Sequence, residues 1–317
     1  MRVTEHLAKA NETLISFELI PPKRGGNIKE LLSTLEDIVK YNPPYIDITS
    51  HAAEVIYEET SAGEFKMKVK RKRPGTLGIC ALIQNKYSID AVPHVICQGF
   101  TKEETEDFLI ELHYLGIDNL LAVRGDDSGY KKPAKFGRTV NPHAIDLVRQ
   151  LDDMNKGKYI EDSLLEAEPT NFCIGIGGYP EKHFESPNMD IDIQHAKEKV
   201  EAGAEYIVTQ MFFDNKRYYE YVEKCRAHGI NVPIIPGLKI ITSKNQVTSI
   251  PRNFYIDIPE GFANEITNSK PEHVLDIGVS WAAKQVEDLI NNKVPAIHFY
   301  IMQNSNPINK LMKKLNL

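Results

Sequence analysis

Polar side chains occur where several apolar runs of this sequence end. Glu18 lies inside SFELIPP, Thr49 ends YIDIT, Asp126 follows LLAVRG, and Gln210 ends YIVTQ. A carboxylate in so apolar a run must find a charge partner or bear a large desolvation penalty, which raises its pKa. An acid with a raised pKa is suited to donate protons near neutral pH. We therefore expect Glu18 to be a general acid, with a structural salt bridge to a neighbouring strand as the alternative.

Three other polar residues have both a structural and a functional interpretation. Asp126 could pair with Arg124 across a charged turn, or its carboxylate could act on a cofactor or a developing cation. Gln210 carries an amide that needs hydrogen-bond partners when buried, and a ligand can supply them. His94, within PHVIC, is either a core residue or a ligand contact. Because no cluster of His, Cys, Asp or Glu has the spacing of metal ligands, we expect no metal site.

These residues are positioned by an alternation of short apolar runs and longer amphipathic segments. The predicted strands are Leu14–Ile20, Tyr45–Thr49, Val92–Ile96, Asn119–Val123, Asn171–Gly175, Tyr206–Gln210, Pro233–Gly237 and Ala296–Met302. The predicted helices are Ile28–Tyr41, Thr101–Leu115, Pro142–Asp153, Ile191–Ala202, Lys216–His228 and Pro271–Asn291. Several strands are almost continuously apolar, which is typical of strands buried on both faces. The alternation indicates one α/β domain over residues 1–317, a (β/α)8 TIM barrel.

An open, doubly wound sheet is the main alternative to this closed barrel. Its dinucleotide-binding form carries GxGxxG after the first strand, and no such motif follows Leu14–Ile20. In a closed barrel, active sites lie at the carboxyl ends of the strands. We expect the least regular stretches, Ala53–Thr76, Asp127–Asn141 and Asn155–Thr170, to be loops around the barrel mouth or surface connections.

The composition disfavours several classes of function. A formal net charge of −6 argues against a nucleic-acid binder, whose affinity depends on neutralising phosphates. The basic run Lys66–Arg73 is more simply a solvated loop or helix face than a binding site for nucleic acid or an anionic membrane. The four cysteines show no CxxC pairing, as expected for free thiols in a reducing cytosol. Because the sequence has no secretory signal and no apolar stretch of about 18 residues, we expect a soluble, cytoplasmic protein.

Eight strings, in order along nearly the whole chain, resemble the methylenetetrahydrofolate reductase family. They are SFELIPPK, YIDITSHA, PHVIC, LLAVRGDD, GYPEKH, KEKVEAGAEYIVTQMFFD, PIIPGLKII and IHFYIM. The resemblance implies a (β/α)8 barrel with FAD, which takes a hydride from NADH or NADPH. A folate then enters the same face, and its 5,10-methylene bridge is reduced to a 5-methyl group that supplies methionine synthesis. The reaction is then ping-pong through the flavin, and the protein supplies positioning and electrostatics.

The resemblance also implies roles for individual residues. Glu18 falls on the general acid that opens the folate ring to an iminium, and Asp126 on the aspartate near flavin and pterin. Gln210 and Gln246 fall on folate contacts. The implied FAD contacts are Thr49, Ser50, Ala52, His94, Arg124, Gly125, Asp126, Ala144, Tyr179, His183, Asp192, His195 and Lys199. Among them, Tyr179 is expected to pack on the flavin or its ribityl chain, and Lys199 to face the pyrophosphate.

The chain departs from the family pattern at several places. SHAAEVIYEE replaces a glycine-rich turn after the second strand, so the loop near the cofactor is expected to be remodelled. Asn304 stands where some bacterial members carry a substrate-binding arginine, and Ile250 aligns near a gating phenylalanine. The chain ends soon after the eighth strand, so we expect no C-terminal regulatory domain and, by analogy, NADH rather than NADPH. The resemblance further implies self-association into a homo-oligomer.

Two other functions remain as alternatives. The first is a non-redox barrel lyase or isomerase that uses Glu18 and Asp126 as an acid–base pair; it would need no flavin. The second is a non-catalytic relative that binds folate or a partner protein through the same mouth. A binding module has no need for a buried acid at the family's catalytic position, and Glu18 therefore argues against it.

Overall fold

The computed structural model describes residues 1–61, 63–125, 132–134, 136–164 and 166–317. Its first half contains α1 (Val3–Lys9), β1 (Leu14–Leu19), α2 (Ile28–Val39), β2 (Tyr45–Ile48), β3 (Glu54–Glu59), β4 (Phe65–Lys70), α3 (Leu77–Tyr87), β5 (Asp90–Ile96), α4 (Lys102–Tyr114), β6 (Asn119–Val123) and α5 (Ala144–Asn155). Asp126 is outside the described residues, as are the positions from 127 to 131 in the predicted loop Asp127–Asn141.

The second half continues the alternation of strands and helices. It contains β7 (Cys173–Gly178), α6 (Met189–Glu201), β8 (Tyr206–Thr209), α7 (Asn215–Ala227), β9 (Ile234–Ile235), β10 (Gly237–Leu238), α8 (Gln246–Phe254), α9 (Glu260–Asn268), a 3-10 turn (Pro271–His273), α10 (Val274–Asn291), β11 (Ala296–Met302) and α11 (Asn306–Leu315).

All strands except β3 and β4 form one parallel sheet. The strand order is β10-β11-β1-β2-β5-β6-β7-β8-β9, and β9 and β10 are two parts of one chain segment separated by Pro236. Proline lacks the N–H that a continuous ladder would use, yet its carbonyl accepts a hydrogen bond from the His298 amide at 2.9 Å. The sheet is thereby a ring of eight strand positions, and the predicted (β/α)8 barrel is confirmed.

The barrel interior has an apolar lower layer. Side chains from the strands form this layer, namely Tyr45, Val92, Leu121, Cys173, Tyr206, Val208, Ile235 and Ala296, and Val3 of α1 joins them. The Val3 amide donates to Oδ1 of Asn119 at 2.7 Å, which ties α1 to the start of β6. Gly175 leaves room for the Tyr206 ring, because a Cβ at this glycine would lie 2.2 Å from it. A larger core surrounds the barrel, between the strands and the helices.

Most predicted elements are confirmed, with shifts at their ends. Thr101 caps α4 as the sequence indicated: its Oγ1 accepts from the Glu104 amide, and the Glu104 carboxylate accepts from the Thr101 amide. The strand predicted at Asn171–Gly175 instead runs from Cys173 to Gly178. The short helices α1, α3, α8, α9 and α11 were not predicted.

The basic run Lys66–Arg73 was predicted to be a solvated loop or helix face, and this prediction of its secondary structure was wrong. Residues Phe65–Lys70 form an exposed strand, β4, which pairs antiparallel with β3. The hairpin lies within the stretch Ala53–Thr76 that was predicted to be irregular. Its base contacts the loop after β1, because the Arg24 amide donates to the carbonyl of Lys72 at 2.7 Å.

No helix in the described part of the chain is long and apolar enough to cross a membrane.

Candidate active site

Four titratable side chains meet inside the barrel, above the apolar layer. Glu18 comes from β1, Asp47 from β2, His94 from β5 and His298 from β11; we call them the buried quartet. Nε2 of His94 lies 3.4 Å from Asp47 Oδ2 and 3.5 Å from Glu18 Oε2. His298 lies 3.9 Å from both carboxylates. Asp47 is 1% exposed and His298 0%, whereas Glu18 and His94 are 7% and 8% exposed.

The quartet corrects the predicted pKa of Glu18. Burial raises this pKa, as the sequence indicated, but contact with His298 and the charges of His94, His298 and Lys239 lower it by more. The net pKa of Glu18 is therefore below its ordinary value. The opposite holds for His94: burial lowers its pKa, and Asp47 and Glu18 raise it by more, to a net value above its ordinary one. The ionised carboxylate and the protonated imidazole are thus the favoured forms.

A cavity of about 370 Å³ lies at the carboxyl ends of β6 and β7, against α5 and α6. Seven of the predicted cofactor contacts line it, and they are Arg124, Ala144, Tyr179, His183, Asp192, His195 and Lys199. We call it the Lys199 cavity. Strand ends and helix starts meet at this edge of the barrel, so residues distant in sequence converge here. His143, Glu185, Ser186 and Glu198 also line it and were not predicted.

The Lys199 cavity is lined by basic, acidic and aromatic side chains. Burial lowers the pKa of Lys199, against the charges of Asp192 and Glu198 that raise it. Arg124 forms an ion pair with Glu185 at 2.6 Å, and the alternative pair with Asp126 involves a residue outside the described ones. The rings of Tyr179 and His183 meet edge to face, with centroids 4.7 Å apart.

Asp192 holds the loop beside the cavity in place. Its Oδ2 accepts from the His183 amide at 3.2 Å, and its Oδ1 accepts from the Ser186 hydroxyl at 2.8 Å. This arrangement fixes the loop that carries the aromatic and basic side chains. Asp192 therefore both lines the cavity and stabilises the loop that forms part of its wall.

Of the remaining predicted cofactor contacts, His94 lies on β5 in the buried quartet, and Asp126 is outside the described residues. Thr49, Ser50, Ala52 and Gly125 lie in the loops that follow β2 and β6. The Thr49 amide donates to the carbonyl of Leu19 at 3.0 Å, while the Thr49 hydroxyl is buried with no hydrogen-bond partner among the described residues. Ser50 and Ala52 follow in the same loop, and Ala52 faces Gly99 of the loop after β5. Gly125 has φ = +86°, a conformation that favours glycine.

The two predicted folate contacts lie at different places. Gln210 follows β8, where its backbone N–H donates to the carbonyl of Gly178 at 2.7 Å. Gln246 lines a second cavity, of about 150 Å³, between β10 and β11 together with Lys239 and Asn304. The amide oxygen of Gln246 accepts from the Thr242 amide at 2.6 Å and so also ties the loop after β10. The structure therefore does not bring Gln246 into the Lys199 cavity.

Asp47, His298 and Lys239 were missed by the sequence analysis. The signal was available for two of them, because Asp47 in YIDIT and His298 in AIHFYIM are polar residues inside apolar strands, as Glu18 is. Lys239 donates from Nζ to the carbonyl of Tyr300 at 3.2 Å. Tyr300 is the register partner of Glu18 in the sheet. This register places the Lys239 ammonium near Glu18, which the sequence alone could not indicate.

The donor set of the Lys199 cavity fits a cofactor that combines an anionic group with a flat ring system. A partly buried ammonium, a guanidinium and an imidazole suit a pyrophosphate, and Tyr179 offers a ring surface. The unpartnered Thr49 hydroxyl adds a polar group at the same mouth. FAD has this chemistry, so the residues present fit the cofactor implied by the sequence.

The fold and the site define a parallel α/β barrel with a buried acid in its interior and a cavity at the carboxyl ends of its strands. More particularly, the chain belongs to the methylenetetrahydrofolate reductase family, whose family model matches residues 2–316.

Individual relatives are similar at moderate identity. "Methylenetetrahydrofolate reductase 1" of Schizosaccharomyces pombe is 29% identical over 95% of this chain and 46% of its own length. "5,10-methylenetetrahydrofolate reductase" of Pectobacterium carotovorum subsp. carotovorum is 26% identical over 91% of this chain and 85% of its own. The chain spans about half the length of the first curated relatives it matches. An uncharacterized protein from Clostridium thermocellum, described as binding two copies of 5-methyl-5,6,7,8-tetrahydrofolic acid, shares the fold, with a TM-score of 0.60, 15% identity and 98% of each chain covered.

Proposed function

We propose that this chain reduces 5,10-methylenetetrahydrofolate to 5-methyltetrahydrofolate with NADH or NADPH as the reductant and FAD as the bound cofactor. The reaction is ping-pong, residues 1–317 form a single catalytic barrel, and the product supplies methyl groups for methionine synthesis. The protein acts in the cytoplasm as a homo-oligomer. Relatives whose names include NADPH or NADH support a nicotinamide reductant, and we favour NADH.

One observation carries the proposal beyond family membership. Glu18 is held inside the barrel by groups from three other strand positions, and the Lys199 cavity opens at the carboxyl ends of the strands of the same barrel. A buried acid and an anion-binding, ring-lined cavity at one mouth are the two parts that this reduction requires. A binding protein would need only the second.

The residues have separate tasks in the proposed reaction. Lys199, His183 and Arg124 hold the anionic part of FAD, and Tyr179 packs on its rings or ribityl chain. Bound FAD supplies the hydride carrier between nicotinamide and folate. Glu18 donates a proton to the folate, Gln210 and Gln246 orient it, and Asp126 places negative charge near the developing cation.

A spectroscopic titration tests the proposal. The purified protein, supplied with FAD where needed, is examined by visible absorption, first with NADH in the absence of oxygen and then with methylenetetrahydrofolate. Bleaching of the flavin band by NADH and its return with the folate are the expected results. A protein that stays colourless and binds no added FAD would contradict the proposal and favour the non-redox lyase or isomerase.

The Glu18→Gln substitution separates the two half-reactions. We expect the variant to bind FAD and to be reduced by NADH at a rate within about twofold of wild type, because Glu18 donates only to the folate. Reoxidation by methylenetetrahydrofolate should slow by at least about a hundredfold, the usual contribution of a general acid. Stopped-flow absorbance measures both rates.

Glu181→Gln is the matched control. Glu181 also lies beyond the carboxyl end of a strand, but its carboxylate accepts from the Asp257 amide at 2.6 Å, in a surface loop contact. Both half-reactions of this variant should remain near wild type. Normal folate reoxidation in Glu18→Gln would remove Glu18 from the mechanism.

A further inference from the structure

Asp47 is a buried acid that the proposed reaction does not yet use. Its side chain is 1% exposed, and both oxygens lack a hydrogen bond of normal geometry among the described residues. The apolar layer of Tyr45, Val92 and Tyr206 lies below it in the barrel. The more exposed members of the quartet, Glu18 and His94, lie on its other side. Asp47 can therefore act on the chemistry through these two neighbours.

Charge balance makes His94 the central member of the quartet. An ionised carboxylate with no compensating charge is strongly destabilising in a barrel interior. Nε2 of His94 faces Asp47 at 3.4 Å and Glu18 at 3.5 Å, so one proton on this nitrogen is shared between two carboxylates. His298 cannot take the same place, because its Nδ1 contacts the Ser16 hydroxyl at 2.8 Å and its distances to both carboxylates are 3.9 Å.

We propose that Asp47 is a positioning residue that keeps the proton consumed by the reaction on Nε2 of His94, from which Glu18 receives it. The inference rests on the proposed folate reduction. Asp47 touches neither substrate nor cofactor in this role; it acts by stabilising the imidazolium.

The steps balance in protons and electrons. The reduced nicotinamide would be the source of the hydride that reaches the methylene carbon, and FAD held in the Lys199 cavity would be its carrier. The Glu18 carboxylate first takes the proton of His94 Nε2–H. The bond from the methylene carbon to N10 of the folate breaks with its electron pair on N10, which takes that proton from the Glu18 carboxyl group. Glu18 is thereby a carboxylate again, and neutral His94 takes a new proton from water once the product has left.

The other groups around His94 support this resting state. The charged or titratable groups that act on the Glu18 or Asp47 partners of His94 are His298 and Tyr300 on β11, Tyr45 on β2, Cys80 on α3, Tyr206 on β8 and Lys239 after β10. The net pKa of His94 is raised and that of Glu18 lowered. Both directions leave the proton on the imidazole until the substrate arrives and excludes water from the mouth.

The test removes the charge of Asp47 and keeps its shape. In wild type, 15N NMR of labelled histidines should show that His94, assigned with a His94→Gln variant, titrates above its ordinary value. In Asp47→Asn we expect its midpoint to fall by at least about one pH unit, a tenfold loss of the protonated form. The rate at which methylenetetrahydrofolate reoxidises the reduced enzyme should fall with rising pH. The midpoint of this fall should move to lower pH in the variant by the same amount. Reduction by NADH should be unchanged.

Tyr45→Phe is the matched control. Tyr45 precedes Asp47 by two residues on the same inward face of β2, is buried, and loses only a hydroxyl group in this substitution. In Tyr45→Phe, the titration midpoint of His94 and the pH profile of the folate half-reaction should match those of wild type. If Asp47→Asn does not fold, Asp47→Ser takes its place.

Two results would overturn the proposal. One is a wild-type His94 midpoint at or below the ordinary value of about 6.5, which needs no variant. The other is an unchanged folate pH profile in Asp47→Asn or Asp47→Ser. If wild type binds no flavin or does not react with folate, the proposed function fails instead, and the histidine titration still decides how Asp47 acts on His94.

Discussion

Lys199 and Lys197 stand two residues apart on α6, in opposite surroundings. Lys199 lines the cavity and burial lowers its pKa, whereas the Lys197 side chain is 36% exposed and pairs with Glu201. An ammonium taken out of water without a close carboxylate is unfavourable unless a ligand anion compensates it. The two lysines therefore differ in position: Lys199 lines the cavity, and Lys197 pairs on the helix surface.

The Lys199→Met substitution tests this assignment. We expect the FAD dissociation constant to rise at least about tenfold, the loss of one charge-assisted contact. The flavin-free variant should unfold at the same temperature as wild type or a higher one, because a desolvated charge is gone. Quenching of flavin fluorescence and thermal denaturation measure the two effects. Lys197→Met should change neither, and equal FAD affinity in both variants would contradict the role of Lys199.

The residue scale also shows where the sequence was insufficient. The burial of Glu18 could be predicted from SFELIPP, because a strand with apolar residues on both faces has no exposed position. The direction of its pKa shift could not be predicted, because it depends on His94, His298 and Lys239 from three other strand positions. Seven predicted cofactor contacts line one cavity, and Gln246, a predicted folate contact, lines another. The bend at Pro236 and the loop after β10, which place Gln246, were not visible in the sequence.

At the scale of elements, buried strands were predictable and the exposed hairpin was not. Apolar runs such as YIVT can only be buried on both faces, so their number and order follow from the sequence. FKMKVK in β4 alternates with period two, as a strand should, but all six of its residues are exposed. Its charges resemble those of a solvated loop or helix, and only pairing with β3 makes it a strand.

Two helix glycines should respond oppositely to the same substitution. A Cβ on Gly278 in α10 would lie 2.0 Å from the carbonyl oxygen of Ile241, whereas one on Gly261 in α9 would have no atom within 4 Å. Gly278→Ala should lower the free energy of unfolding by about 3 kcal/mol, because α10 must shift away from a backbone segment that cannot yield. Gly261→Ala should raise it by about 0.5 kcal/mol through helix propensity.

Urea denaturation of both variants measures these changes. If Gly278→Ala were as stable as Gly261→Ala, α10 would not pack against the segment after β10 as closely as the structure has it. That packing also holds the loop of Gln246, so a stable Gly278→Ala variant would weaken the assignment of the second cavity.

At the scale of the whole molecule, the barrel interior has an apolar layer below and a charged layer above. The apolar layer, with Val3 of α1, closes the lower end. The quartet therefore communicates with solvent only through the mouth, where the cofactor loops meet. Such an arrangement concentrates opposed charges in a desolvated space, and the stability of the fold must then depend on their protonation.

The dependence of stability on pH has a predictable sign. The pKa of His94 is raised in the folded protein from a reference value of 6.5. The folded state therefore binds the proton more tightly than the unfolded chain. This contribution is fully present below pH 6.5 and is lost as the pH rises through the folded-state pKa. Glu18, whose pKa is lowered from 4.5, stabilises the fold above that pH and ceases to do so in more acidic solution.

His94→Gln should remove the alkaline part of this dependence. The difference in unfolding free energy between wild type and the variant, from urea denaturation at closely spaced pH values, should be largest near pH 6 and shrink as the pH rises. Asp47→Asn should also weaken the pH dependence of the unfolding free energy, because Asp47 stabilises the protonated form of His94. A difference that stays constant from pH 6 to pH 9 would mean that His94 has an ordinary pKa in the fold. The charged layer would then be stabilised by Glu18 and Lys239, without a proton held on Nε2 of His94.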